Sequence, residues 1–576
     1  MAFDASQWMT PSGGYEIDNS LRFNAGDSPY LTRTADAGNQ KKWTYSVWHK
    51  ITNVGIDDNV ALLYVDTDTY FYILRSGLDH DIRFSKSNGD WDFRTNAQFR
   101  DSSAWMHIVL ACDTTLSTAA HRVRLYVNGS EITSWATETN PDQNEDLRVN
   151  SGDEHKIGTD GTDFMNGYLS EINFLDGIQA TPSSFGETGD YGEWKPIEYS
   201  GSYGTEGYYL DFKSSGVGTA GTATVGADRS GNTNHWTSSG LADQMLDTPT
   251  NNFATLNALQ PHAQTLSEGN LKTVTAVANA SNSTIGATSG KWYAEFNFIS
   301  GTHCRIGISA GQAGLGENHG FGAGNTWVKI NGRIHYHDST AIPANSGVSI
   351  AADDIVGVAV DVDAGKLWFS KNGTWEDNAS GTGVPADGTN PIYNDAGIRS
   401  GEPIFFGVAS GSGDLTYVAN FGQDSSFAGA ETAQGNADGN GVGDFYYAPP
   451  TGFLALCTSN LPAVAVVPSE NFNTVLYTGD GSSNRTVTGV GFTPDFAWNK
   501  NRSQANNHTL MNVLSGTGKN LHANNADAEA SEATPSIASD GLLLTSDNGN
   551  NQNYVFWSWK ANGSGSSNTN GSINTT

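Results

Sequence analysis

One stretch of sequence decides the fold: Lys366, Leu367, Trp368, Phe369, Ser370, Lys371, Asn372 and Gly373. The same design occurs earlier as Arg124, Leu125, Tyr126, Val127, Asn128 and Gly129. Each copy is a run of aromatic and branched residues that ends in Asn-Gly, the pair that supplies the two positive-φ positions of a type I′ turn. Each copy also lies late in a longer segment that contains several other strand candidates. The repetition therefore predicts two antiparallel β-sandwiches on one chain.

The composition favours the same fold class. A chain of 576 residues should hold three or four domains, and 67 glycines with 11% aromatic and only 16% charged residues suit turn-rich all-β domains with little helix. The formal net charge of -31 repels phosphate backbones and anionic membranes. We therefore expect no nucleic-acid partner and no membrane insertion.

The three cysteines and the start of the chain carry little positive information. Cys112, Cys304 and Cys457 lie too far apart for a CxxC metal site, and an intradomain disulfide framework is not expected. Met1 to Ser12 lacks the basic and apolar regions of a signal peptide, and no apolar run is long enough for a membrane span. A protein of extracellular style without a signal peptide could leave its cell by lysis, as part of a particle.

The first segment, residues 1–195, contains strand-like runs at Trp43 to His49, Trp105 to Leu110 and Leu169 to Gly177. Together with Ser20 to Phe23 and the hairpin that begins at Arg124, these runs resemble the laminin-G-like, concanavalin A-like fold. The resemblance implies a jelly roll of two antiparallel sheets, which in that family often binds carbohydrate or another protein.

The second segment, residues 286–425, opens with Gly290 to Phe296, continues with Ile355 to Val360 and the hairpin that begins at Lys366, and closes with Asn420 to Gly422. This order resembles a SPRY domain, another concanavalin-like sandwich, and implies protein recognition. The run Ile355 to Val360 is apolar on both faces, which predicts a strand inside the sandwich.

The remaining segments are two connectors, a third module and a tail. Residues 196–285 and 426–465 are rich in turn residues and are predicted to connect the domains. Residues 466–562 form a third β-rich module. Residues 563–576 have the Gly, Ser, Asn and Thr composition of a linker, so the natural protein could continue beyond them.

The connectors and the domain order carry a further resemblance. Asp247 to Asn257 and Ala448 to Phe453 are similar to connectors of marine bacteriophage structural proteins, and the third module resembles a module of phage virion proteins. The resemblance implies location in an extracellular virion, other virion proteins as partners and, by analogy with tail appendages, a homo-oligomer that is a trimer.

Glu171, Asn173 and Asp176 have the E-x-D-x-x-E spacing by which laminarinase-type enzymes on this fold place nucleophile, supporting acid and proton donor. The residue types do not fit, because retaining hydrolysis needs two carboxyl groups about 5 Å apart, and Asp in the last position is one methylene shorter than Glu. Asn in the middle position also removes a titrating group. We therefore predict no catalytic residues and a protein that is not an enzyme.

Other residues are candidates for ligand binding. Trp91, between Asp90 and Asp92 in a turn-rich stretch, and Trp327 could stack on a sugar ring. Burial in the core is the alternative that their size and the strand patterns favour. His335 and His337 put two imidazoles on one side of a predicted strand, but two ligands alone are too few for a metal. A solvated polar strand edge is the alternative for this pair.

Three carboxylates suggest the one candidate cofactor, calcium. Asp153, Asp160 and Asp163 alternate with glycines and could form an oxygen cage, as laminin-G-like domains sometimes do at their rim. The spacing lacks the D-x-D-x-D-G order of a known calcium loop. Acidic turns on an acidic protein are the alternative that we favour.

These observations predict a non-enzymatic, modular adhesion protein, a phage tail fibre or appendage that binds a host-surface glycan or protein through loops on rigid sandwiches. Two alternatives stay open. One is a structural virion protein that joins other subunits, and the other is a glycoside hydrolase working through the first sandwich.

Overall fold

The computed structural model describes most of the chain. The described residues are 14–52, 59–65, 68–76, 79–240, 243–260, 265–275, 280–301, 304–311, 326–330, 334–337, 340–342, 348–378, 380–399, 401–410, 415–462, 466–516, 518–531 and 535–561. Their helical segments are short 3₁₀ turns at Ala25–Asp27, Ala119–His121, Pro182–Ser184, Pro385–Asp387, Ala396–Arg399, Thr458–Asn460 and Pro468–Glu470. The other regular elements are β-strands, which confirms the all-β prediction. Within this part of the chain, no helix is long and apolar enough to cross a membrane.

The first sandwich is built from strands between residues 20 and 245. They are β1 (Ser20–Phe23), β2 (Tyr30–Thr34), β3 (Lys42–Ile51), β4 (Asn59–Val65), β5 (Thr69–Ser76), β6 (Asp79–Lys86), β7 (Asp92–Thr95), β8 (Trp105–Asp113), β9 (Val123–Val127), β10 (Ser130–Glu131), β11 (Trp135–Thr139), β12 (Glu154–Ile157), β13 (Gly167–Asp176), β14 (Gly186–Thr188), β15 (Trp194–Pro196), β16 (Tyr208–Leu210), β17 (Thr237–Ser239) and β18 (Gln244–Met245). One sheet, here the front sheet, has the order β10-β9-β8-β3-β13-β1-β18, with β16 also paired to β13. The back sheet has the order β11-β7-β6-β5-β4-β12-β2-β17. The predicted connector therefore contributes β16, β17 and β18 to this sandwich.

The second sandwich follows the same plan. Its region contains β19 (Thr265–Ser267), β20 (Lys272–Thr275), β21 (Ala280–Asn282), β22 (Lys291–Gly301), β23 (Cys304–Ala310), β24 (Thr326–Ile330), β25 (Ile334–His337), β26 (Thr340–Ile342), β27 (Asp354–Asp361), β28 (Lys366–Lys371), β29 (Thr374–Trp375), β30 (Asp377–Asn378), β31 (Gly381–Thr382), β32 (Tyr393–Asn394), β33 (Ile404–Ser410), β34 (Leu415–Asn420) and β35 (Leu454–Ala455). One sheet has the order β19-β20-β34-β22-β27-β28-β29, with β32 paired to β28 and β35 to β22. The other has the order β21-β33-β23-β24-β25-β26.

The two Asn-Gly hairpins have the predicted geometry. Asn128 and Asn372 have φ of 46° and 48°, and the glycines that follow them have φ of 77° and 76°, as a type I′ turn requires. Each asparagine also makes two hydrogen bonds to one residue of the neighbouring strand, His107 for Asn128 and Ile355 for Asn372. The backbone N–H of the asparagine donates to the carbonyl of that residue, and the asparagine Oδ1 accepts from its backbone N–H. The twin turns are thus structurally equivalent, which confirms the prediction on which the fold was argued.

A buried ion pair holds the first sandwich to the segment that leads into the second, within one compact unit. Lys50 Nζ lies 2.7 Å from Asp247 Oδ2 and 2.7 Å from Asn252 Oδ1, and it donates to the carbonyl of Phe253 at 3.0 Å. Trp105 Nε1 donates to the second oxygen of Asp247 at 3.0 Å. The side chains of Lys50 and Asp247 have no exposed surface. Removing either partner would leave an uncompensated buried charge, so this contact holds the front sheet to the segment that leads into the second sandwich.

A second buried cation reinforces the junction. Arg22 on β1 contacts Asp424 at 3.1 Å, Asp243 at 2.8 Å and Glu268 at 3.7 Å. Although burial alone would lower it, the carboxylates of Asp424 and Asp243 raise the pKa of Arg22. Asp424 follows the second sandwich, whereas Arg22 belongs to the first, so the charges hold residues more than four hundred positions apart.

The C-terminal module belongs to a second compact unit, Thr188–Glu193 with Val464–Thr576. Its strands are β36 (Phe472–Thr478), β37 (Arg485–Thr488), β38 (Phe496–Asn501), β39 (Thr509–Asn512), β40 (Lys519–His522), β41 (Ala530–Ser531), β42 (Ser536–Ala538), β43 (Gly541–Leu544) and β44 (Asn553–Trp559). They form a six-stranded sheet of order β36-β44-β38-β39-β40-β41 and a three-stranded sheet of order β37-β43-β42. The core between them includes Tyr477, Tyr554 and Phe556.

Candidate functional site

The candidate site begins at a bulge in β13, an inner strand of the front sheet. Pairing with β3 is regular up to Ser170 and resumes at Asn173, so Glu171 and Ile172 lie together opposite a single residue of β3. Glu171 absorbs the extra residue with φ of 51°, an unusual backbone conformation for a residue other than glycine. Leu169 and Ile172 consequently both face the core, and Glu171 points to the other side of the sheet. That side is here called the outer face.

The carboxyl group of Glu171 is enclosed by tyrosine hydroxyls. Tyr209 donates to Oε1 at 2.8 Å and Tyr15 donates to Oε2 at 2.8 Å, and the two hydroxyls lie 2.8 Å apart. Glu171 is only 6% exposed. Burial raises the pKa of Glu171 to about 7, although the hydrogen bonds from Tyr209 and Tyr15 oppose the rise. The group is therefore a carboxylic acid that gains or loses its proton near neutral pH.

A row of half-buried aromatic rings extends from Glu171 across the outer face. Tyr203 stacks on Tyr209 with ring centroids 6.3 Å apart, and Tyr199 meets Tyr203 edge-to-face at 5.1 Å. The Tyr203 hydroxyl donates to Asn173 Oδ1 at 2.8 Å. We call Tyr15, Tyr199, Tyr203 and Tyr209, with Glu171 and Asn173 beneath them, the tyrosine patch. It combines ring surface with hydroxyl, amide and carboxyl groups, the mixture by which proteins contact sugars.

The tyrosine patch occupies only part of the outer face. Farther along the same strands, Trp48, Trp105 and Tyr168 pack into the hydrophobic cluster of the second sandwich. Lys50 reaches the junction from this same face. One part of the outer face is therefore an internal interface, and the part around Glu171 is covered by Tyr15 and by residues that follow β13.

The third member of the laminarinase-like spacing lies on the wrong side of the sheet. The pairing of β13 with β3 is regular from Asn173 to Asp176, so these residues alternate and Asp176 has the opposite orientation to Asn173. Asp176 Oδ1 accepts from Asn150 Nδ2 at 2.7 Å and from the Asn39 amide at 2.8 Å, while Oδ2 accepts from the Glu206 amide. The carboxyl of Asp176 is thus a structural acceptor on the far side from Glu171.

The expectation that Trp91 offers an exposed ring is wrong. Trp91 has no exposed surface and packs on Phe84 with ring centroids 4.4 Å apart, inside the first core. Its neighbours have structural partners: Asp92 pairs with Arg83 at 2.8 Å, and the exposed Asp90 pairs with Lys86 at 2.7 Å. Turn residues near Trp91 suggested a surface loop, but the ring is large and apolar enough to be drawn into the core.

Trp327 is likewise buried, with no exposed surface, so it cannot stack on a ligand from solvent as expected. It lies on β24 and belongs to the core of the second sandwich. His335 and His337 lie on β25, where they pair with Lys329 and Trp327 in antiparallel register. The positions of their side chains lie outside the described part of the structure, so a ligand role for this pair stays a prediction.

The three predicted calcium ligands do not form one cage. Asp153 contacts Arg148 Nη2 at 2.6 Å and accepts from Ser151, and these two contacts lower its pKa. Asp160 closes a local turn by accepting from the Asp163 amide at 2.8 Å. Across the described residues, no group of three or more His, Cys, Asp or Glu is placed to hold a metal ion. The structure therefore does not bring these three carboxylates together as one donor group, and calcium binding stays a prediction.

The tyrosines of the patch were missed in the sequence because they lie in the predicted connector or near the start of the chain. A local signal existed: Tyr199, Tyr203, Tyr208 and Tyr209 recur within eleven positions of an otherwise Gly- and Ser-rich stretch. Clustered aromatic residues in a turn-rich segment indicate either packing on a neighbouring surface or ligand contact. In the structure, Tyr208 faces the first core and the other three cover the outer face.

Two regions match known protein families. Residues 24–178 match the laminin-G model described as the concanavalin A-like lectin/glucanases superfamily. Residues 467–576 match the family described as a domain of unknown function, DUF7483. The first sandwich is thus a concanavalin A-like domain.

Several solved structures are similar to parts of the chain. The SPRY domain of human HERC1 is 14% identical, with 28% of this chain and 90% of that chain covered and a TM-score of 0.20. A Bacteroides ovatus protein assigned as carbohydrate-binding is 14% identical, with coverages of 40% and 59% and a TM-score of 0.28. A heptameric pentraxin from Limulus polyphemus is 15% identical, with coverages of 29% and 80% and a TM-score of 0.23.

Proposed function

We propose that the protein is a non-enzymatic binding protein that recognises a host-surface glycan through the tyrosine patch of its first sandwich. The patch is the observation that carries the proposal, because it offers ring faces beside hydroxyl, amide and carboxyl groups. A ring face packs on the apolar C–H face of a sugar, and the polar groups hydrogen-bond to its hydroxyls. The concanavalin A-like superfamily of the first sandwich includes lectins, which supports a binding role.

The charge of the chain narrows the class of glycan. A protein with a formal charge of -31 repels polyanions at long range, so uronic-acid or phosphate-rich polymers are poor ligands. A neutral sugar meets no such repulsion. The proposed ligand is therefore an uncharged cell-surface or capsular glycan.

A bacteriophage tail fibre or appendage is the setting that we propose for this binding. The support is the resemblance of Asp247 to Asn257 and of the domain order to phage structural proteins. The buried junction of Lys50 and Asp247 adds a physical argument, since a rigid tandem keeps a binding face at a fixed angle to its neighbour. Other virion proteins are the partners expected in this setting.

The test is binding of the full-length protein to an array of neutral bacterial glycans and to labelled host cells. Tyr203→Ala removes a ring that only partly contributes to packing, and it should weaken binding roughly tenfold, which corresponds to about 1.4 kcal/mol. Tyr70→Ala is the matched control. Tyr70 is also a half-buried tyrosine between two aromatic neighbours, but it lies on the back sheet. Binding that both substitutions weaken equally, or neither weakens, would contradict the placement of the site.

A glycoside hydrolase is the competing activity, because Glu171 has a pKa of about 7, suitable for a general acid. Its expected partner Asp176 faces the other side of the sheet, so the second carboxyl that hydrolysis requires is not supplied by that residue. Incubation with β-glucans and capsule polysaccharides, followed by a reducing-end assay, separates the two. New reducing ends that disappear with Glu171→Gln would overturn the non-enzymatic proposal.

A further inference from the structure

The six-stranded sheet of the C-terminal module has an apolar face that points away from its own core. Its central row crosses five strands, from β36 to β40, through Thr474, Trp557, Trp498, Leu510 and Leu521, which pair in register. The opposite face of the same strands carries Tyr477, Ala497, Met511 and Phe556, which form the module core. The alternation therefore places large apolar residues on both faces, although only one face meets the three-stranded sheet.

The aromatic rings on this face form two groups of contacting rings. Trp559 lies between Phe472 and Phe496, with ring centroids 5.1 Å from each. Trp498 and Trp557 are 5.6 Å apart. The planes of these pairs are inclined by 48° to 63°, so the rings pack against one another and do not lie parallel as separate platforms.

Apolar side chains at the two sides of the face are exposed to an unusual degree. Leu476 is 63% exposed, Leu521 is 44% exposed and Phe472 is 41% exposed. The strands of this face carry two lysines, Lys500 and Lys519. Each has an ionisable neighbour: His508 lies 2.9 Å from Lys500 Nζ, and Glu529 lies 3.7 Å from Lys519 Nζ. Exposed, contiguous apolar surface of this kind marks an interaction site on a soluble protein.

We propose that this face is an interface between two copies of the chain. Six strands spaced about 4.8 Å apart and up to seven residues long cover roughly 500 Å² in plan, and side-chain relief brings this near the ~800 Å² that a stable interface buries on each partner. A sheet face is also complementary to its own copy, because two equally twisted sheets pack face to face at about 30°. A two-fold axis through the row of Trp498 and Trp557 would bury the same residues on both copies.

The composition of the face favours a second copy over a glycan or an unrelated charged partner. The most exposed side chain of the face, Leu476, and Leu521 at the opposite margin offer no ring for stacking on sugars. Each chain carries a formal charge of -31, so two copies approach most easily through a surface without carboxylates. The strand residues that define this face include none, and the carboxylate at its margin, Glu529, is paired with Lys519.

The test is the mass of the full-length protein in solution, measured by sedimentation velocity from about 1 to 100 μM, the range that suits an interface of this size. The wild type should be a dimer or a larger multiple of two, whereas a trimer, which the resemblance to tail appendages implies, would contradict a two-fold interface. Leu476→Asp and Leu521→Asp should each raise the dissociation constant at least about tenfold, since association would bury an unpaired carboxylate. Val217→Asp is the matched control, because Val217 is an aliphatic residue of the other compact unit that is 55% exposed.

Cross-linking provides a readout that does not depend on a disruptive substitution. Leu521→Cys, treated with a short bismaleimide, should give a covalent dimer. The same treatment of the wild type gives the background of cross-linking through the native cysteines. A wild type that stays monomeric at the highest concentration would overturn the proposal. So would assembly that survives Leu476→Asp and Leu521→Asp, or that Val217→Asp disrupts to the same extent. The tyrosine patch lies in the other unit. A variant that no longer assembles should therefore still bind glycan with the affinity of a single copy, so the two proposals can fail independently.

Discussion

Glu171→Gln is the most informative single substitution, because it separates the charge of the buried carboxyl from its shape. Gln is nearly isosteric, and the paired hydroxyls of Tyr15 and Tyr209 can rotate so that one accepts a hydrogen bond from the new amide. This rearrangement should cost about 1 kcal/mol at any pH. The charge effect is larger: a rise in pKa from 4.5 to about 7 corresponds to about 3 kcal/mol against the ionised form in the folded state.

The sign of the pH dependence follows from linkage. A carboxyl whose folded pKa is raised binds its proton more tightly in the folded protein, so its favourable contribution is complete below pH 4.5 and is lost as the pH rises through about 7. Gln has no such loss. The free energy of unfolding of Glu171→Gln, relative to the wild type, should therefore increase by about 1.4 kcal/mol per pH unit between pH 5 and 7, and then level off.

The assay is urea unfolding of both proteins at pH 4.5 to 8.5, followed by tryptophan fluorescence and reported as the difference at each pH. Taking the difference cancels the other titrating groups that the two proteins share, including His107, whose burial lowers its pKa to about 3. Glu131→Gln, at a 39% exposed carboxylate on β10, controls for removal of charge as such. A difference for Glu171→Gln that does not change with pH would refute the description of this residue as a buried acid.

Three further predictions concern stability, measured by thermal and urea unfolding of the full chain. Asn372→Ala should lower the free energy of unfolding by about 2 kcal/mol, because alanine resists a φ of 48° and the Ile355 amide loses its acceptor. Asn372→Gly, which accepts this φ, should lower it by about half as much. Equal losses for the two variants would contradict the role of φ. Lys50→Met should lower the free energy of unfolding by about 3 to 5 kcal/mol, because it leaves Asp247 buried without its cation. The double substitution Lys50→Met with Asp247→Leu should recover part of this loss. If the losses of the two single substitutions simply add in the double variant, the prediction is wrong. Trp91→Ala should lower the free energy of unfolding by about 3 to 5 kcal/mol, because it leaves a cavity in the first core. Unchanged stability together with weaker glycan binding would instead favour a ligand role for Trp91.

The buried junction has a consequence for how binding sites are displayed. Lys50 and Arg22 both point from the front sheet into contacts with residues outside the first sandwich strands. Charges buried in this way tolerate few alternative arrangements. A shift that separates the partners would leave each charge buried without the attraction that offsets its cost of desolvation. The first and second sandwiches should therefore move as one body, and proteolysis under native conditions should spare residues 246–260.

The sequence by itself determined the strands, the hairpins and the all-β class, because those features depend on neighbouring residues. Asn-Gly supplies positive φ wherever it lies, and alternation of branched and aromatic residues defines a strand before any tertiary contact forms. The tertiary structure alone decided which face each residue occupies. The bulge at Glu171 shifted the alternation of β13 and, with the regular pairing that follows it, left Asp176 on the far side. It also decided that Trp91 and Trp327 are core residues and that Lys50 meets Asp247, 197 positions away. The face that each of these residues occupies and the distant partner that it meets are properties of the packed chain, and the local sequence around them does not specify either.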